Sequence, residues 1–208
     1  MGGYEYIARD ARMDIKKFVI HSLNCTQNYM QNQFSFKYIF IGNEPRCLVT
    51  RNISEEIGDE YDIEIRVNDP HEYFTPKGIF SKFKQGLIMY YPPYQFTLCE
   101  DNDYILEATM KNKKVNNLLL QINFIITKVI DGKNYILRYN KKEDYFYWIE
   151  KEIVSNELLM RERWCKDLNY WNELRELFLI ERNKEENKHL KSREIYEKVL
   201  NYIYETKE

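Results

Sequence analysis

The stretch that decides the fold is FKYIFIGNEPRCLVTRNISEEIGDEYDIEIRV, which runs from Phe36 to Val67. It opens with an apolar run that ends at Gly42, the pattern of a buried strand followed by a tight turn. Residues 60–67 then alternate strictly between apolar and polar side chains, which predicts a strand with one buried face. The polar face of that strand carries Glu60, Asp62, Glu64 and Arg66.

Periodicity on either side of this stretch predicts helices and further strands. Apolar residues at helical spacing predict an amphipathic helix over about 8–33, and Thr75 followed by Pro76 predicts the start of a second helix. A hairpin turn is predicted at Asp131-Gly132. Strands are predicted at residues 34–41, 95–99, 104–111, 118–129, 135–140 and 145–148.

The last quarter of the chain changes to helical periodicity. One apolar stripe runs from Leu168 to Phe178 and a second from Ile195 to Ile203, with Ser192 placed to cap the last helix. We therefore predict an α+β fold with a mixed or antiparallel sheet, flanking helices and additional C-terminal helices. The predicted domains are an α+β core over residues 1–154 and a helical segment over residues 155–208 packed on that core.

Composition limits the classes of function. The chain has 208 residues and a formal net charge of -2, so it lacks the basic excess with which nonspecific nucleic-acid binders neutralise phosphates. Its four cysteines are scattered without zinc-finger or disulfide spacing, which favours a reducing cytoplasm. No apolar run approaches the roughly 18 residues of a membrane span, so we expect no membrane partner.

The acids on the alternating strand are candidate metal ligands. Two acids one residue apart on a strand point the same way and can hold one divalent cation, which here means Asp62 with Glu64 or Glu60 with Asp62. The turn Gly42-Asn43 could offer backbone amides to a triphosphate. The alternative is that the acids form an ordinary exposed strand face and that Gly42 only permits a tight turn.

Four segments resemble, in the same order, patterns of the nucleotidyltransferase superfamily, which has the DNA polymerase beta-like fold. The resemblance covers about residues 36–202 and is to the small members found in low-GC Gram-positive bacteria and their mobile elements. The segments are FKYIFIGNEPRCLVTRN, CEDNDYILEATM, YILRYNKKEDYFYWIE and LNYWNELRELFLIERNK. The resemblance implies a nucleotide ligand and a Mg²⁺ or Mn²⁺ cofactor. It implies nucleotide-binding roles for Gly42, Asn43, Arg46, Arg138 and Lys141.

The departures from the family pattern fall at the implied catalytic positions. The family's Gly-Ser becomes Gly42-Asn43, which removes a hydroxyl that would face phosphate. If the stretch is aligned without gaps, the family's paired aspartates fall on Gly58 and Glu60. The aspartate of the later strand falls on Asn123, so one acid of the three would be kept.

A shifted alignment gives a different pair of acids. It places the paired acids at Asp62 and Glu64, which restores two ligands but leaves Asn123 without charge. Replacing a carboxylate by an amide removes one negative charge from a site that faces a divalent cation. Metal affinity is therefore expected to fall in either alignment.

Three functions follow from these observations. The leading one is a protein with a degenerate metal site that binds a nucleotide, a nucleic acid such as RNA, or a protein of the host or of a mobile element. The second is an active Mg²⁺-dependent nucleotidyltransferase that uses Asp62 and Glu64, with Glu60 or Glu100 supplying the missing charge. The third is an inhibitory or interaction protein of a mobile element.

Overall fold

The structure is a computed structural model that describes residues 3–52, 57–69, 71–90, 95–100, 104–112, 118–151 and 156–208. Its helices are α1 (Arg9–Met30), α2 (Pro76–Tyr90), α3 (Asn156–Asp167), α4 (Trp171–Arg182) and α5 (Ser192–Lys207), with a 3-10 turn at Glu185–Asn187. Its strands are β1 (Tyr4–Tyr6), β2 (Ser35–Ile41), β3 (Thr50–Asn52), β4 (Ile57–Asn68), β5 (Gln95–Leu98), β6 (Leu106–Asn112), β7 (Leu118–Ile130), β8 (Lys133–Asn140) and β9 (Tyr145–Glu150).

These strands form one mixed sheet of nine strands, which confirms the predicted α+β class. Strands β4 and β7 run parallel at its centre, and the other pairings are antiparallel. The outer edge of β4 pairs with β3 near its start and with β2 along the rest of its length. The outer edge of β7 pairs with β6 and then with β8. The two central strands therefore have neighbours on both sides.

The alternation of β4 separates a buried face from a polar face. Tyr61, Ile63 and Ile65 are fully buried and belong to one core with Phe36 and Phe83. Helices α1 and α2 contribute their apolar faces to this core, on the side of the sheet away from the acids. The polar side chains of β4 are thereby left on the opposite face of the sheet.

The C-terminal helices build a second core around Leu48. Leu174 and Phe178 of α4 and Val199 of α5 are buried there, and the Tyr6 hydroxyl donates to the carbonyl of Arg175 at 2.6 Å. These contacts place α3, α4 and α5 at the β1 end of the sheet. The domain boundary at residues 154 and 155 stays a prediction, because residues 152–155 lie outside the described ranges.

Two predictions about the C-terminal helices are wrong in detail. The stripe predicted from Leu168 to Phe178 begins only at Trp171, because Leu168 is exposed and lies between α3 and α4, next to Asn169 with its φ of 62°. Ser192 is the first residue of α5 and not its cap. The Lys191 amide instead donates to the Glu194 carboxylate at 2.7 Å, which satisfies a donor at the helix start.

The short strands β1 and β3 were not predicted, since three residues are too few to show alternation. The other strands and the first two helices agree with the predicted ranges to within a few residues. Within the described part of the chain, no helix combines the length and apolar character that crossing a bilayer requires.

Candidate functional site

The turn after β2 lies directly against Asp62. Ile41 is the register partner of Asp62 in the antiparallel pair of β2 and β4, so the chain leaves the sheet beside that carboxylate. Gly42 follows with a φ of 68°, and a Cβ placed there would lie 2.6 Å from Asp62 Oδ2. Glycine is therefore required twice at this position, by the backbone conformation and by the close approach of the carboxylate.

The turn continues to Cys47 without forming a helix. The Leu48 amide donates to the Asn43 carbonyl at 2.9 Å, and the Cys47 amide donates to the Glu44 carbonyl at 3.0 Å. Cys47 has a φ of 58°, which is uncommon for a residue with a side chain. The predicted glycine turn is thus a compact series of turns that ends in the buried Leu48.

A cluster of acids and amides lies beside this turn, and its centre is Asn123. The parallel register places Asp62 opposite Asn123 and Glu60 opposite Gln121. The Asn123 side-chain amide donates from Nδ2 to Glu60 Oε2 at 3.1 Å and to Asp62 Oδ1 at 3.0 Å. Glu60 and Asp62 therefore converge on a single nitrogen atom of the fully buried Asn123.

The cluster extends to β6 through Gln121. Gln121 Nε2 donates to Glu60 Oε1 at 3.1 Å and to Glu107 Oε2 at 3.0 Å. Glu107 is the register partner of Asn123 on β6. Burial raises the pKa of the nearby Tyr104 hydroxyl, and the carboxylates of Glu60 and Glu107 raise it further. This phenol is thus neutral at physiological pH and lies at the edge of the cluster.

Sequence reasoning missed Glu107, Gln121 and Tyr104 as members of the cluster. Gln121 had a readable signal, because it precedes Asn123 by two residues and so shares its face of the strand. No local feature of the sequence indicates Glu107, because its position opposite Asn123 depends on the register of β6 with β7.

Glu64 belongs to a different network on the same face of β4. Its carboxylate accepts hydrogen bonds from the Thr127 hydroxyl at 3.0 Å, from Lys151 Nζ at 3.2 Å and from Arg66 at 3.2 Å. Burial acts to raise the pKa of Glu64, but the hydrogen bonds from Arg66 and Thr127 and the charge of Lys151 outweigh it and lower the pKa. Glu64 is therefore an ionised, nearly buried carboxylate that is neutralised by its own cations.

The basic candidates lie at two other places. Arg46 points toward the C-terminal helices, where it pairs with Glu162 at 2.8 Å and also donates to the Gly42 carbonyl. Arg138 lies on β8 opposite Tyr147, and Lys141 follows at the hairpin tip, where its amide donates to Glu100 at 3.1 Å. The structure thus brings Arg46 to the back of the Gly42 turn, and Arg138 and Lys141 to the β8–β9 hairpin.

The acid and amide cluster carries donor atoms of the kind that bind a divalent cation. Glu60 and Asp62 already reach a common point, and oxygen donors are the ligands that Mg²⁺ prefers. The Asn123 amide is neutral, so its hydrogen bonds to Glu60 and Asp62 leave the negative charge of the two carboxylates in place. Among the residues described, no group of three or more histidine, cysteine, aspartate and glutamate side chains is arranged to hold a metal ion. A cation at this point would be held by the carboxylates of Glu60 and Asp62.

Comparisons with known proteins establish the fold. No family model matches the chain, and neither does any curated protein sequence. The structure of Escherichia coli MS115-1 CdnC with ATP matches 95% of this chain at 12% identity, with a TM-score of 0.51. Vibrio cholerae DncV cyclic AMP-GMP synthase with nonhydrolyzable GTP matches 71% of the chain at 10% identity and a TM-score of 0.47. Bradyrhizobium diazoefficiens CD-NTase CdnG with GTP matches 81% at 7% identity and a TM-score of 0.42.

The chain spans 62% of the length of CdnC, 39% of DncV and 42% of CdnG. The match to CdnC extends over nearly the whole of this chain. The predicted nucleotidyltransferase fold is therefore confirmed.

Proposed function

We propose that this protein binds a nucleoside triphosphate with one divalent cation beside the Gly42 turn, at a site with little or no capacity for nucleotidyl transfer. The observation that carries this proposal is the convergence of Glu60 and Asp62 on Asn123 Nδ2. Two carboxylates meet at one point, and the third side chain there is an amide. The site thus keeps two carboxylates that could hold a cation, and an amide stands where a third carboxylate would add negative charge.

The nucleotide part of the proposal rests on the fold and on the turn. The matched CdnC structure contains ATP, which supports a nucleotide as the ligand class. Gly42 lets the turn approach the Asp62 carboxylate closely, since a Cβ at this position would lie 2.6 Å from Asp62 Oδ2. Glu60 and Asp62 would hold a cation at the cluster, and its positive charge would offset the negative charges of the carboxylates and the phosphates.

The loss of transfer follows from Asn123. A second cation would need further carboxylates, whereas Asn123 contributes no charge and donates its amide hydrogens to Glu60 and Asp62. To accept a cation, the Asn123 side chain must turn its carbonyl oxygen toward the acids, which exchanges two hydrogen bonds for one metal contact. Binding of one cation is thus favoured over the assembly of a two-metal centre.

Calorimetric titration with ATP and GTP, each with Mg²⁺, Mn²⁺ or a chelator, tests the proposal. We expect metal-dependent binding that Asp62→Asn weakens by tenfold or more, because a charge next to the cation is lost (roughly 1.4 kcal/mol per factor of ten). Glu64→Gln is the matched control on the same strand and should bind as the wild type does. Equal losses in the two variants would instead support Asp62 and Glu64 as the metal pair.

A second candidate, an active enzyme, is favoured by Glu107. Its carboxylate shares Gln121 Nε2 with Glu60, so a third negative charge lies at the edge of the cluster. Incorporation of labelled nucleotide into any acceptor, lost in Glu107→Gln while ATP binding persists, would establish this alternative. If no nucleotide binds, the interaction protein predicted from the sequence, with an RNA or protein partner, becomes the leading function.

A further inference from the structure

Arg46 joins the Gly42 turn to the C-terminal helices. Its NH1 group donates to the Gly42 carbonyl at 2.8 Å, while Nε and NH2 donate to Glu162 Oε2 on α3 at 3.1 and 2.8 Å. The planar guanidinium donates from fixed directions, so the three bonds set the position of one group relative to the other. Arg46 therefore links a turn of the α+β core to α3.

Glu162 is the centre of this contact on the helical side. Its Oε2 also accepts from the Tyr196 hydroxyl of α5 at 2.8 Å, and its Oε1 accepts from Lys166 at 2.7 Å. The Arg46 guanidinium stacks on the Tyr196 ring, 4.6 Å from its centroid. Burial acts to raise the pKa of Glu162, but Lys166 and Arg46 outweigh it and lower the pKa, so the carboxylate is ionised at neutral pH.

The contact with Gly42 fixes the orientation of the next amide. The Gly42 carbonyl and the Asn43 N–H belong to one planar peptide group and point in opposite directions. By holding that carbonyl from behind the turn, Arg46 aims the Asn43 N–H away from α3. A displacement of Glu162 would move Arg46 and so change the direction of this N–H, which would alter the affinity for a ligand that accepts a hydrogen bond from it.

A second ion pair contacts the same turn through Glu44. Lys16 of α1 contacts both carboxylate oxygens of Glu44, at 2.9 and 3.1 Å. This pair joins the turn to a helix of the α+β core, with no contribution from the C-terminal helices. It provides a matched comparison for the pair of Arg46 and Glu162.

We propose that Arg46 is a positioning residue that couples the Gly42 turn to helices α3 and α5. The coupling holds the Asn43 amide in place, and binding at the turn is transmitted through Glu162 to the helical segment. The second part rests on the proposed function, because it requires a nucleotide at the turn. In this role Arg46 acts through the Gly42 backbone and not by direct contact with phosphate.

Hydrogen exchange measured by mass spectrometry tests both parts, with Glu162→Gln as the main variant. Glutamine keeps the size of the side chain and removes the charge that holds Arg46. Without nucleotide, the Leu48 amide, which bonds to Asn43, should exchange about tenfold faster in Glu162→Gln than in the wild type. With Mg²⁺ and ATP, α3 and α5 should become more protected in the wild type and not in the variant.

The Lys16→Gln variant is the control. It should also speed exchange in the turn, while leaving the ATP-dependent protection of α3 and α5 as in the wild type. Arg46→Lys should behave as Glu162→Gln does, because an ammonium cannot donate to Gly42 and Glu162 with the geometry of the fork. Circular dichroism and urea unfolding of each variant check that it is folded before the exchange rates are compared.

The outcomes separate this inference from the proposed function. Unchanged Leu48 exchange in Glu162→Gln without nucleotide overturns the positioning role. Protection of α3 and α5 by ATP that persists in Glu162→Gln overturns the transmission. If ATP changes no exchange rate in the wild type, the proposed function fails, and the nucleotide-free comparison alone decides whether Arg46 holds the turn.

Discussion

Asp62 and Glu64 stand two residues apart on the same face of β4, yet their surroundings are opposite. Asp62 lies against the Gly42 turn and accepts a hydrogen bond from the neutral amide of Asn123. Glu64 accepts hydrogen bonds from two cations and from Thr127, and only 5% of it is exposed. Alternation places both acids on one face of the strand. Their partners differ, so Asp62 is left beside neutral groups at the turn, whereas Glu64 is bonded to Thr127 and two cations and stabilises the sheet.

The largest expected effect tests the structural side of this comparison. Glu64→Ala should lower the free energy of unfolding by about 3 kcal/mol, because it leaves the Thr127 hydroxyl and two cations without their shared acceptor. Urea denaturation gives the value. The comparison variant is Glu60→Ala, at an exposed position on the same face, which removes an acceptor from Gln121 and Asn123 and should cost about 1 kcal/mol. Equal losses would mean that the two networks contribute alike to stability.

The second prediction sharpens the functional side. Asn123→Asp should lower the stability of the metal-free protein by about 2 kcal/mol, because a third carboxylate replaces the donor to Glu60 and Asp62. Added Mg²⁺ or Mn²⁺ should recover much of this loss, and the stabilisation by metal should exceed that of the wild type. Thermal unfolding with chelator and with metal measures both. A variant that responds to metal no more than the wild type does would show that charge at this position does not limit binding.

The sequence could predict the framework of the site but not its pairing. The apolar run before Gly42 and the strict alternation of β4 contain enough local information to place the strands, the turn and the polar face. Which acids meet at Asn123 depends on the parallel register of β4 with β7, and register is set by contacts between segments about 60 residues apart. The contact of Arg46 with Glu162 spans 116 residues and has no local signal at all.

The third prediction tests the close approach of Asp62 to the turn. Gly42→Ala should cost about 2 kcal/mol, because φ is 68° and the new Cβ would meet Asp62 Oδ2 at 2.6 Å. Gly132→Ala is a matched control, with a φ of 77° and no atom within 4 Å of the Cβ, and should cost about 1 kcal/mol. The two free energies of unfolding come from urea denaturation. Equal losses would mean that the carboxylate moves aside without cost, and metal-dependent ATP binding in Gly42→Ala would then show whether its position matters.

The smallest effect is the pH dependence that Glu64 contributes. Burial acts to raise the pKa of Glu64, but Arg66, Lys151 and Thr127 outweigh it, so the pKa of the folded protein lies below that of the unfolded chain. A lowered pKa stabilises the fold above the unfolded value of roughly 4.3, and this contribution is lost as the pH falls through the lower folded value. The stability difference between the wild type and Glu64→Gln should therefore be constant from neutral pH to about 5.5 and should shrink at more acidic pH. If the stability difference grows as the pH falls, the effect of burial on the pKa of Glu64 exceeds that of its cations. The surroundings of Glu64 would then not differ from those of Asp62 in the way the hydrogen bonds indicate.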